Sequence, residues 1–595
     1  MTPSAADHRI LRAVHHARQI PPDDASGDTG GAGGTGGDSA TPGQLELATS
    51  TPFDFLFAGL AANFPDHHLQ GDPAVVRAAL ERLGNALTEP STAADGGQAV
   101  AGTSPVAGAQ VDGPAGNSTI PPVYTYWGQF TDHDLTLNTG ANSTLIGVAN
   151  GPVTPLLPTA VANSLRNGRQ PALDLDSVYG GGPVFDDAGA ATATATETET
   201  PDDLYDGVRL RLGRVAEANN DGSRPAGDPI PLAADGLHDL PRDGSVALVG
   251  DGRNDENLIV AQFHVAFLRF HNAVVDWVLA HEPYLATDRE VFNRARDLVR
   301  WHYQWLVVHD YLKTVALPGV TDKVLLSGPQ HFAPRAGKVF MPLEFSAAAF
   351  RFGHSMVRAA YDYNQNFGRA GGGKGKVLDN APFSLLFSFT GGANPPFVGR
   401  TSVLPFNWVI EWDRFVDKGS PKPDHFARKI DTRLAPPLFD LINEIGPAQG
   451  VVPADAEILK RLAVRNLLRG YQLALPTGQA VAGALGVTPL TADELLQGNS
   501  DEVSAALTDG GFLQATPLWY YILKEAEVRA NGNSLGEVGS RIVVETLIGQ
   551  LRLDPGSYLN QDNGWSPEQG VLLPNGDPIV TIKDLFVFAG VLTGP

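Results

Sequence analysis

Apolar residues recur every three or four positions in several long segments of the chain, which is the periodicity of an α-helix. The longest of these segments span 258–275 and 291–311, and shorter ones lie at 343–358 and 455–474. Strand-like runs such as 244–250 are short by comparison. The pattern therefore predicts a mainly α-helical fold with few short strands. The positions that carry the period in the longest segments are Leu258, Ala261, Val265, Leu268 and Val275, and then Val291, Ala295, Val299, Leu306 and Tyr311.

Several other stretches are small and polar rather than periodic. Residues 22–51 are rich in Gly, Asp, Ser, Thr and Pro, and 90–119 and 191–203 have a similar composition. Such stretches bury too little apolar surface to offset the entropy of ordering, so we expect a tail and surface loops. We divide the chain into a flexible, low-complexity N-terminal tail over 1–51 and a single large domain with long loops over 52–595.

Charge and cysteine content narrow the classes of function. The net charge of -23 has the wrong sign for a nucleic-acid binder. The absence of cysteine excludes disulfides, thiolate haem ligands and iron–sulfur clusters. No run of 18 or more apolar residues predicts a membrane span, and the first residues do not resemble a signal peptide. We therefore expect a cytoplasmic protein, with non-classical export left open.

The first cluster of candidate functional residues is Gln129, Asp132 and His133, in the run WGQFTDHD over 127–134. On a helix, Gln129 and His133 lie four positions apart and share a face, with Asp132 beside them. The flanking aromatic residues suit a polar pocket in an apolar wall. The same pattern equally suits the polar start of a surface helix, where acidic residues are favoured.

A second cluster opens the long helix predicted at 258–275. Arg253 and Glu256, in the run DGRNDEN over 251–257, lie three positions apart and share a helical face. By itself this spacing favours an ordinary intrahelical ion pair, worth about 0.3–0.5 kcal/mol when exposed.

The third cluster surrounds a single histidine, His354, in the run FRFGH over 350–354. Gly353 permits another group to approach the backbone closely. A lone histidine is most often a satisfied core residue. The functional alternative is an imidazole ligand to haem iron, with Arg351 one turn away to pair with a haem carboxylate.

The order of these clusters along the chain resembles the animal-type haem peroxidases of the peroxidase–cyclooxygenase superfamily, and the chain looks like a bacterial member. The resemblance covers roughly residue 51 to the C-terminus and is weaker in the last third. It implies a helical domain that binds haem b and a calcium ion. It also implies an enzyme that reduces hydrogen peroxide and oxidises an organic donor, a halide or thiocyanate.

The resemblance implies a role for each residue of the clusters. His133 resembles the distal base that moves a proton between the peroxide oxygens. Arg253 resembles the distal arginine that stabilises developing negative charge, and Gln129 the glutamine that orients peroxide or halide. Asp132 and Glu256 match carboxylates that form ester links to haem, so we expect at least one such link.

On the opposite side of the haem, His354 resembles the proximal iron ligand. Ligating histidines usually donate their second N–H to a neighbouring acceptor. The run VRNLLR over 464–469 resembles the region that supplies this acceptor. The resemblance assigns Asn466 as the partner of His354 and Arg469, with Arg351, as a partner of the haem carboxylates. An ordinary polar pair at a helix end is the alternative for this short motif.

The implied calcium site joins the first cluster to a later loop. Asp134 matches one ligand, and the loop over 170–180 matches the others. Asp174 and Asp176 would supply carboxylates and Ala172 a backbone carbonyl, a donor set that suits calcium. Gln170 stands where the family commonly has Thr, so only its carbonyl is expected to bind. An acidic solvated loop is the alternative.

Some relatives carry a third haem link, from a Met that follows the Glu of the second cluster. This chain has Asn257 there, so we expect a less oxidising haem that prefers thiocyanate, easier halides or phenols to chloride.

Alternative functions remain. A fatty-acid dioxygenase of the same superfamily would place a tyrosine three residues before His354, where this chain has Arg351. A non-catalytic haem-binding module would have lost His133 or Arg253. A non-haem metal protein would use histidines spaced seven apart, namely His264, His271, His302 and His309. The sequence does not determine the oligomeric state.

Overall fold

The computed structural model describes residues 51–592 apart from 91–115, 138–152, 187, 192–203, 220–221, 232–233, 335–338, 369–374, 379–380, 391–402, 418–425, 442–457, 459 and 562–563. The predicted tail, apart from Thr51, lies outside this range, as does most of the loops predicted at 90–119 and 191–203. The division of the chain at residue 51 therefore stays a prediction.

Helices supply most of the regular structure of the described residues, as the apolar periodicity predicts. In chain order the α-helices are α1 Ala58–Ala62, α2 Pro73–Ala86, α3 Val123–Leu135, α4 Pro158–Ser164, α5 Asp176–Tyr179, α6 Leu258–His281, α7 Asp288–Leu306, α8 Leu312–Val315, α9 Val320–Ser327, α10 Leu343–Ser346, α11 Leu462–Gln472, α12 Gly478–Ala484, α13 Ala492–Leu496, α14 Asp501–Asp509, α15 Leu518–Ala530, α16 Glu537–Leu553 and α17 Ile582–Phe588. Short 3₁₀ helices span Gly252–Asp255, Ala349–Met356, Phe383–Phe387, Trp412–Arg414, Pro436–Phe439, Tyr558–Asn560 and Pro567–Gln569, and a π-helix spans Val307–Tyr311.

The strands are short, which confirms a mainly helical class with little sheet. They are β1 Thr51–Asp54, β2 Arg166–Asn167, β3 Tyr205–Asp206, β4 Arg209–Leu210, β5 Arg242–Asp243, β6 Val246–Ala247, β7 Met341–Pro342, β8 Ala360–Tyr361 and β9 Ala381–Pro382. The central strand β1 pairs antiparallel with β2 and parallel with β7, and the other strands form two-stranded ladders. The strand-like run at 244–250 reduces to β6, which pairs with β5.

The long apolar helix α6 forms the centre of the core. It begins after Asn257, whose side chain accepts a hydrogen bond from the backbone N–H of Val260, and it packs against α3 and α7. Among the described residues it is the one helix long and apolar enough to cross a membrane, and 83% of its most apolar window is buried inside the structure. Its apolar surface is therefore core surface, as expected of a helix that is hydrophobic all round.

The second long segment also folds as predicted, with one irregularity. Thr287 and Glu290 form a capping box that starts α7. The helix then widens into the π-helix Val307–Tyr311 before α8 continues. A π-helix turns the side chains that follow it relative to a regular helix, and such turns are frequent at functional sites.

Three predicted helices have different boundaries in the structure. The segment 343–358 is not one helix, because Ala348 leaves helical geometry (φ -136°, ψ -70°) and separates α10 from a 3₁₀ helix. The segment 455–474 contains α11, which begins at Leu462 after the extended Arg461, while Ile458 and Lys460 before this break are also helical. The run 251–257 does not open α6 directly, since the extended Asn257 separates α6 from the 3₁₀ helix Gly252–Asp255.

Candidate functional site

A cavity of about 950 Å³, including its open mouth, lies between α3, the start of α6, the 3₁₀ helix Ala349–Met356 and α11. A concave site lined by apolar and aromatic side chains with a few convergent polar groups is typical of sites for organic ligands and cofactors. Its lining residues are Thr125, Tyr126, Gly128, Gln129, Asp132, Glu256, Asn257, Tyr311, Phe350, Arg351, Phe352, Gly353, His354, Val357, Phe383, Phe387, Leu441, Leu462 and Arg465. Residues from all three sequence clusters therefore meet in one place.

One wall of the cavity carries the polar residues of the first two clusters. Gln129 and Asp132 reach it from α3, and Glu256 and Asn257 from the turn before α6. The Asn257 side-chain amide donates to Gln129 Oε1 at 3.2 Å, and the Thr136 hydroxyl donates to Asp132 Oδ1 at 3.0 Å. These contacts fix the orientation of the polar wall before any ligand is bound.

His133 lies fully buried next to this wall, without being one of the cavity-lining residues. Its Nδ1 is 2.9 Å from Asn254 Oδ1, and its Nε2 is 3.9 Å from Glu256 Oε2. Glu256 does line the cavity. The Nε2 atom of the predicted base thus lies near Glu256, the lining carboxylate that the same prediction links to haem.

Arg253 takes a similar position beside the wall. Its Nη2 donates to the carbonyl oxygen of His133 at 2.9 Å and to Asp251 Oδ2 at 2.7 Å. Burial works against ionisation of Asp251, but Arg253 and Arg169 hold the pKa of that carboxyl well below its usual range. The structure therefore brings Arg253 to His133 and does not place its guanidinium in the cavity lining.

The facing wall carries His354. A Cβ atom added to the adjacent Gly353 would meet no atom within 4 Å, so this part of the backbone faces open space. The Nδ1 atom of His354 lies 2.9 Å from Asn466 Nδ2, which is the predicted pair of residues. The direction of the bond differs from the expectation. Arg351 Nη1 donates to Asn466 Oδ1 at 3.2 Å, so the amide presents its nitrogen to the ring.

The side chains of Arg351, Arg465 and Arg469 lie close enough to one another to interact, with Asp132 as an acidic neighbour. Burial lowers the pKa of Arg351 to about 10, with attraction from Asp132 and repulsion from Arg465 acting in opposite senses. Burial and the charges of Arg351 and Arg465 lower the pKa of Arg469 to about 9. Among the described residues, the buried Nε of Arg469 has no hydrogen-bond partner. Such a cluster is electrostatically costly unless an anionic group lies against it.

Sequence reasoning assigned Arg351 and Arg469 to this role and missed Arg465. The spacing offered a signal, because Arg465 and Arg469 are four residues apart on α11 and share a face.

Tyr311 is a second residue of the lining that the motifs did not indicate. It ends the π-helix, and a Cβ atom on Gly128 would lie only 2.5 Å from its hydroxyl oxygen. Glycine at position 128 thus allows the phenol to reach the wall formed by α3. Burial and the nearby Asp132 raise the pKa of Tyr311 above its usual range, so the side chain stays a neutral phenol.

The predicted calcium ligands Asp134, Asp174 and Asp176 come together, with carboxylate oxygens within 4.8 Å of one another. Burial and the two neighbouring carboxylates raise the pKa of Asp134 well above its usual range. Left-handed backbone at Leu173 (φ 51°) and Leu175 (φ 62°) curls the loop around Asp134. A cation would relieve this repulsion, and carboxylates of this number suit calcium.

The two remaining predicted calcium ligands have protein partners in the structure. The carbonyl oxygen of Ala172 accepts from Gln304 Nε2 at 3.0 Å. The carbonyl oxygen of Gln170 accepts from the backbone N–H of Ala172 at 2.8 Å. A carbonyl oxygen has a second lone pair, so these contacts leave room for a shared ligand.

The histidines of the non-haem alternative do not gather around one point. His271 bonds to the Tyr179 hydroxyl and His309 to the Tyr558 hydroxyl, while His302 accepts from the backbone N–H of Val571. Among the described residues, the cluster with metal-ligand spacing is Asp134, Asp174 and Asp176, which contains no histidine.

Part of the sequence matches a known protein family, and the structure is similar to a solved structure. Residues 209–381 match the sequence model of the animal haem peroxidase family. That segment contains Arg253, Glu256 and His354, whereas Gln129 and His133 precede it and Asn466 follows it. The structure is also similar to the fatty acid alpha-dioxygenase of Arabidopsis thaliana, with a TM-score of 0.52 and 14% identity over 90% of this chain and 76% of that one. The two proteins share a mainly helical fold.

Particular relatives match over short segments. The chain is 33% identical over 110 residues to the dual oxidase of Drosophila melanogaster, which is 18% of this chain and 7% of that protein. It is 29% identical over 114 residues to the thyroid peroxidase of Homo sapiens, which is 19% of this chain and 12% of that protein. The chain spans a fifth or less of the length of the curated relatives it matches.

Proposed function

We propose that this protein is a haem-dependent peroxidase, which reduces hydrogen peroxide and oxidises a small organic donor, a halide or thiocyanate. One observation carries the proposal. A single cavity has Gln129, Asp132 and Glu256 on one wall and His354 on the facing wall, with buried arginines beside the histidine. The family match of residues 209–381 supports the same chemistry.

The residues of the cavity fit a haem group. His354 would bind the iron, the open space beside Gly353 would admit the flat ring, and the arginine cluster would pair with the carboxylates. Within the part of the chain that the structure describes, the Nε of Arg469 is a buried donor without an acceptor. When bound, haem supplies the iron that peroxide oxidises and the donor reduces.

Binding of iron at Nε2 of His354 requires the ring proton on Nδ1, so an acceptor must face Nδ1. The Asn466 amide would then turn its Oδ1 to the ring. Arg351 now donates to that oxygen, and it becomes available to a carboxylate when the amide turns. The proposal therefore couples the pairing of Arg351 to the final orientation of Asn466.

On the other wall, His133 would accept a proton from peroxide at Nε2 and return it to the leaving oxygen. Arg253 holds the backbone carbonyl of His133 and places a permanent positive charge beside it. Gln129, fixed by Asn257, would orient the oxygen atoms of the ligand.

Glu256 lines the cavity near Nε2 of His133, and Asp132 also lines the cavity. We propose that at least one of these carboxylates becomes ester-linked to haem. Acidic organic extraction of the peroxide-treated protein, followed by mass spectrometry of its peptides, tests the link. Complete release of unmodified haem would contradict it.

Spectra of a histidine variant test the haem assignment. His354→Ala should lose most of its haem or show a grossly altered optical spectrum, because the iron would lose its protein ligand. His281→Gln is a matched control, since His281 is an exposed histidine at the end of α6. A normal haem spectrum in His354→Ala would overturn the proposal.

A fatty-acid dioxygenase remains the alternative, because that fold is shared with the Arabidopsis thaliana enzyme. Arg351 occupies the position three residues before His354 where a fatty-acid dioxygenase of this superfamily would have a tyrosine. Tyr311 nevertheless lines the cavity from another element. Oxygen uptake with linoleate separates the two functions. Uptake that disappears in Tyr311→Phe would favour the dioxygenase.

A further inference from the structure

A buried chain of hydrogen bonds runs from His133 away from the cavity. Nδ1 of His133 lies 2.9 Å from Asn254 Oδ1, and Nδ2 of the same amide lies 3.0 Å from Nδ1 of His264. All three side chains have 0% exposure. Asn254 comes from the 3₁₀ helix that carries Arg253, and His264 comes from the middle of α6.

The amide couples the proton positions of the two rings. An amide oxygen only accepts and an amide nitrogen only donates, so the rings on its two sides must present opposite groups. His133 must therefore carry a proton on Nδ1, and His264 must leave its Nδ1 free to accept. Burial lowers the pKa of His264 to about 3, so His264 is a neutral ring with its proton on Nε2.

This arrangement has a consequence for catalysis. A neutral His133 with its proton on Nδ1 keeps the lone pair on Nε2, which is the nitrogen on the side of Glu256 and the cavity wall. After Nε2 takes a proton, Nδ1 remains a donor to Asn254. The bridge therefore stays intact in both states of His133, and no rearrangement accompanies the transfer.

We infer that Asn254 is a positioning residue that fixes the ring orientation and tautomer of His133, and that His264 sets the orientation of the Asn254 amide. The inference deepens the proposed function, because a fixed Nε2 lone pair matters only where His133 acts as a base. The ring nitrogen that carries the proton is generally set by the hydrogen bond that the other nitrogen makes.

Imidazole NMR of the full-length protein labelled with ¹⁵N-histidine tests the tautomers directly. Haem-loaded samples are measured in the diamagnetic reduced carbon monoxide form, and His133→Gln and His264→Gln assign the signals. We expect the proton on Nδ1 of His133 and on Nε2 of His264. In Asn254→Asp both sides of the bridge are acceptors, so His264 should switch to the Nδ1–H form while His133 keeps its own. A His133 protonated on Nε2 in the unchanged protein would overturn the inference.

Kinetics provide the second readout. Asn254→Ala should slow the reaction with peroxide by at least about tenfold, the scale for losing a partner that orients a functional imidazole. Asn254→Asp keeps the acceptor and should stay within about threefold of the unchanged protein. Asn272→Ala is the control. Asn272 lies on α6, as His264 does, and the substitution removes two side-chain hydrogen bonds to the Leu210 backbone, outside the site.

The two proposals fail in different ways. An unchanged rate in Asn254→Ala, or an equal loss in Asn272→Ala, would overturn the positioning role. The expected tautomers in a protein that neither binds haem nor reacts with peroxide would support the bridge and overturn the proposed function alone. If Asn254→Ala does not fold, the switch of His264 in Asn254→Asp remains the test.

Discussion

Single residues at this site are arranged at an electrostatic cost. Arg351 and Arg469 have pKa values of about 10 and about 9 because they are buried and lie near like charges. A charge kept in such surroundings destabilises the ligand-free fold. A bound anionic group would offset this electrostatic cost. The buried arginines therefore indicate that the ligand of the cavity carries negative charge.

We expect Arg469→Met to change stability in opposite directions with and without haem. In the haem-free protein the variant should be more stable by about 1–4 kcal/mol, since an uncompensated buried charge is replaced by an apolar side chain. Haem should then be retained less tightly, because a donor to its carboxylates is lost. Urea unfolding of both forms measures the two effects. Arg461→Met, at the start of the same helix, is the control, and a haem-free Arg469→Met that is less stable would contradict the prediction.

At the scale of elements, the helix α3 contributes residues to both the cavity and the candidate calcium site. Its last turns carry Asp132 and His133 toward the cavity and Asp134 toward the acidic loop over 170–180. A change at the loop therefore acts on the helix that carries the proposed base. The helix also contacts the π-helix through Gly128 and Tyr311.

The acidic loop should make stability depend on pH and calcium together. Burial raises the pKa of Asp176 to about 7, against an ordinary value of about 3.9 for aspartate. A carboxyl whose pKa is raised in the fold favours the folded state when protonated, so metal-free stability should fall as the pH rises from about 4 to about 7. Calcium removes this penalty. Thermal unfolding with calcium or a chelator should show a larger calcium effect at pH 8 than at pH 5, and equal effects would contradict a site at these aspartates.

The contact between Gly128 and Tyr311 predicts a coupled pair of substitutions. Gly128→Ala should destabilise the protein by about 1–3 kcal/mol, because its Cβ would lie 2.5 Å from the Tyr311 hydroxyl. Tyr311→Phe removes that oxygen, and the next ring atom would be 3.4 Å away. The double variant should therefore recover most of the loss. Urea unfolding of the two single variants and the double variant measures the coupling, and additive effects would contradict a direct contact.

At the scale of the whole molecule, the net charge of -23 opposes the approach of anions, while the buried arginines attract them locally. The long-range field acts on the rate of encounter, whereas the arginines act only after entry. If the proposed function holds, charge therefore affects which donors react fastest.

Donor oxidation should depend on salt according to the charge of the donor. Raising the ionic strength from about 0.01 M to about 0.15 M shortens the screening length from about 30 Å to about 8 Å. The second-order rate with iodide or thiocyanate should rise, because repulsion by the acidic surface is screened, and the rate with a neutral phenol should stay constant. Stopped-flow measurement of both donors tests this. A rate with iodide that falls with salt would show that local positive charge dominates.

The sequence by itself predicts the helical class and the cores of α6 and α7. These features depend on local information. Apolar periodicity defines the buried face of a long helix, and residues three or four apart must share a face. The family resemblance, and not local spacing, pairs Asp134 with the loop that carries Asp174 and Asp176, and the three carboxylates lie together in the structure.

Only the tertiary structure decides how these residues are connected. Asn254 bridges His133 and His264, and Arg253 donates to the backbone carbonyl of His133. Neither contact follows from sequence spacing. Each joins elements that are distant in sequence or depends on a side-chain orientation set by a third residue. The broken helix at Ala348 has the same origin, since local periodicity predicts a continuous helix and the observed packing around His354 is built on a 3₁₀ turn. Hydrogen bonds and charges act over a few ångströms in space, so their partners are fixed only when the chain has folded.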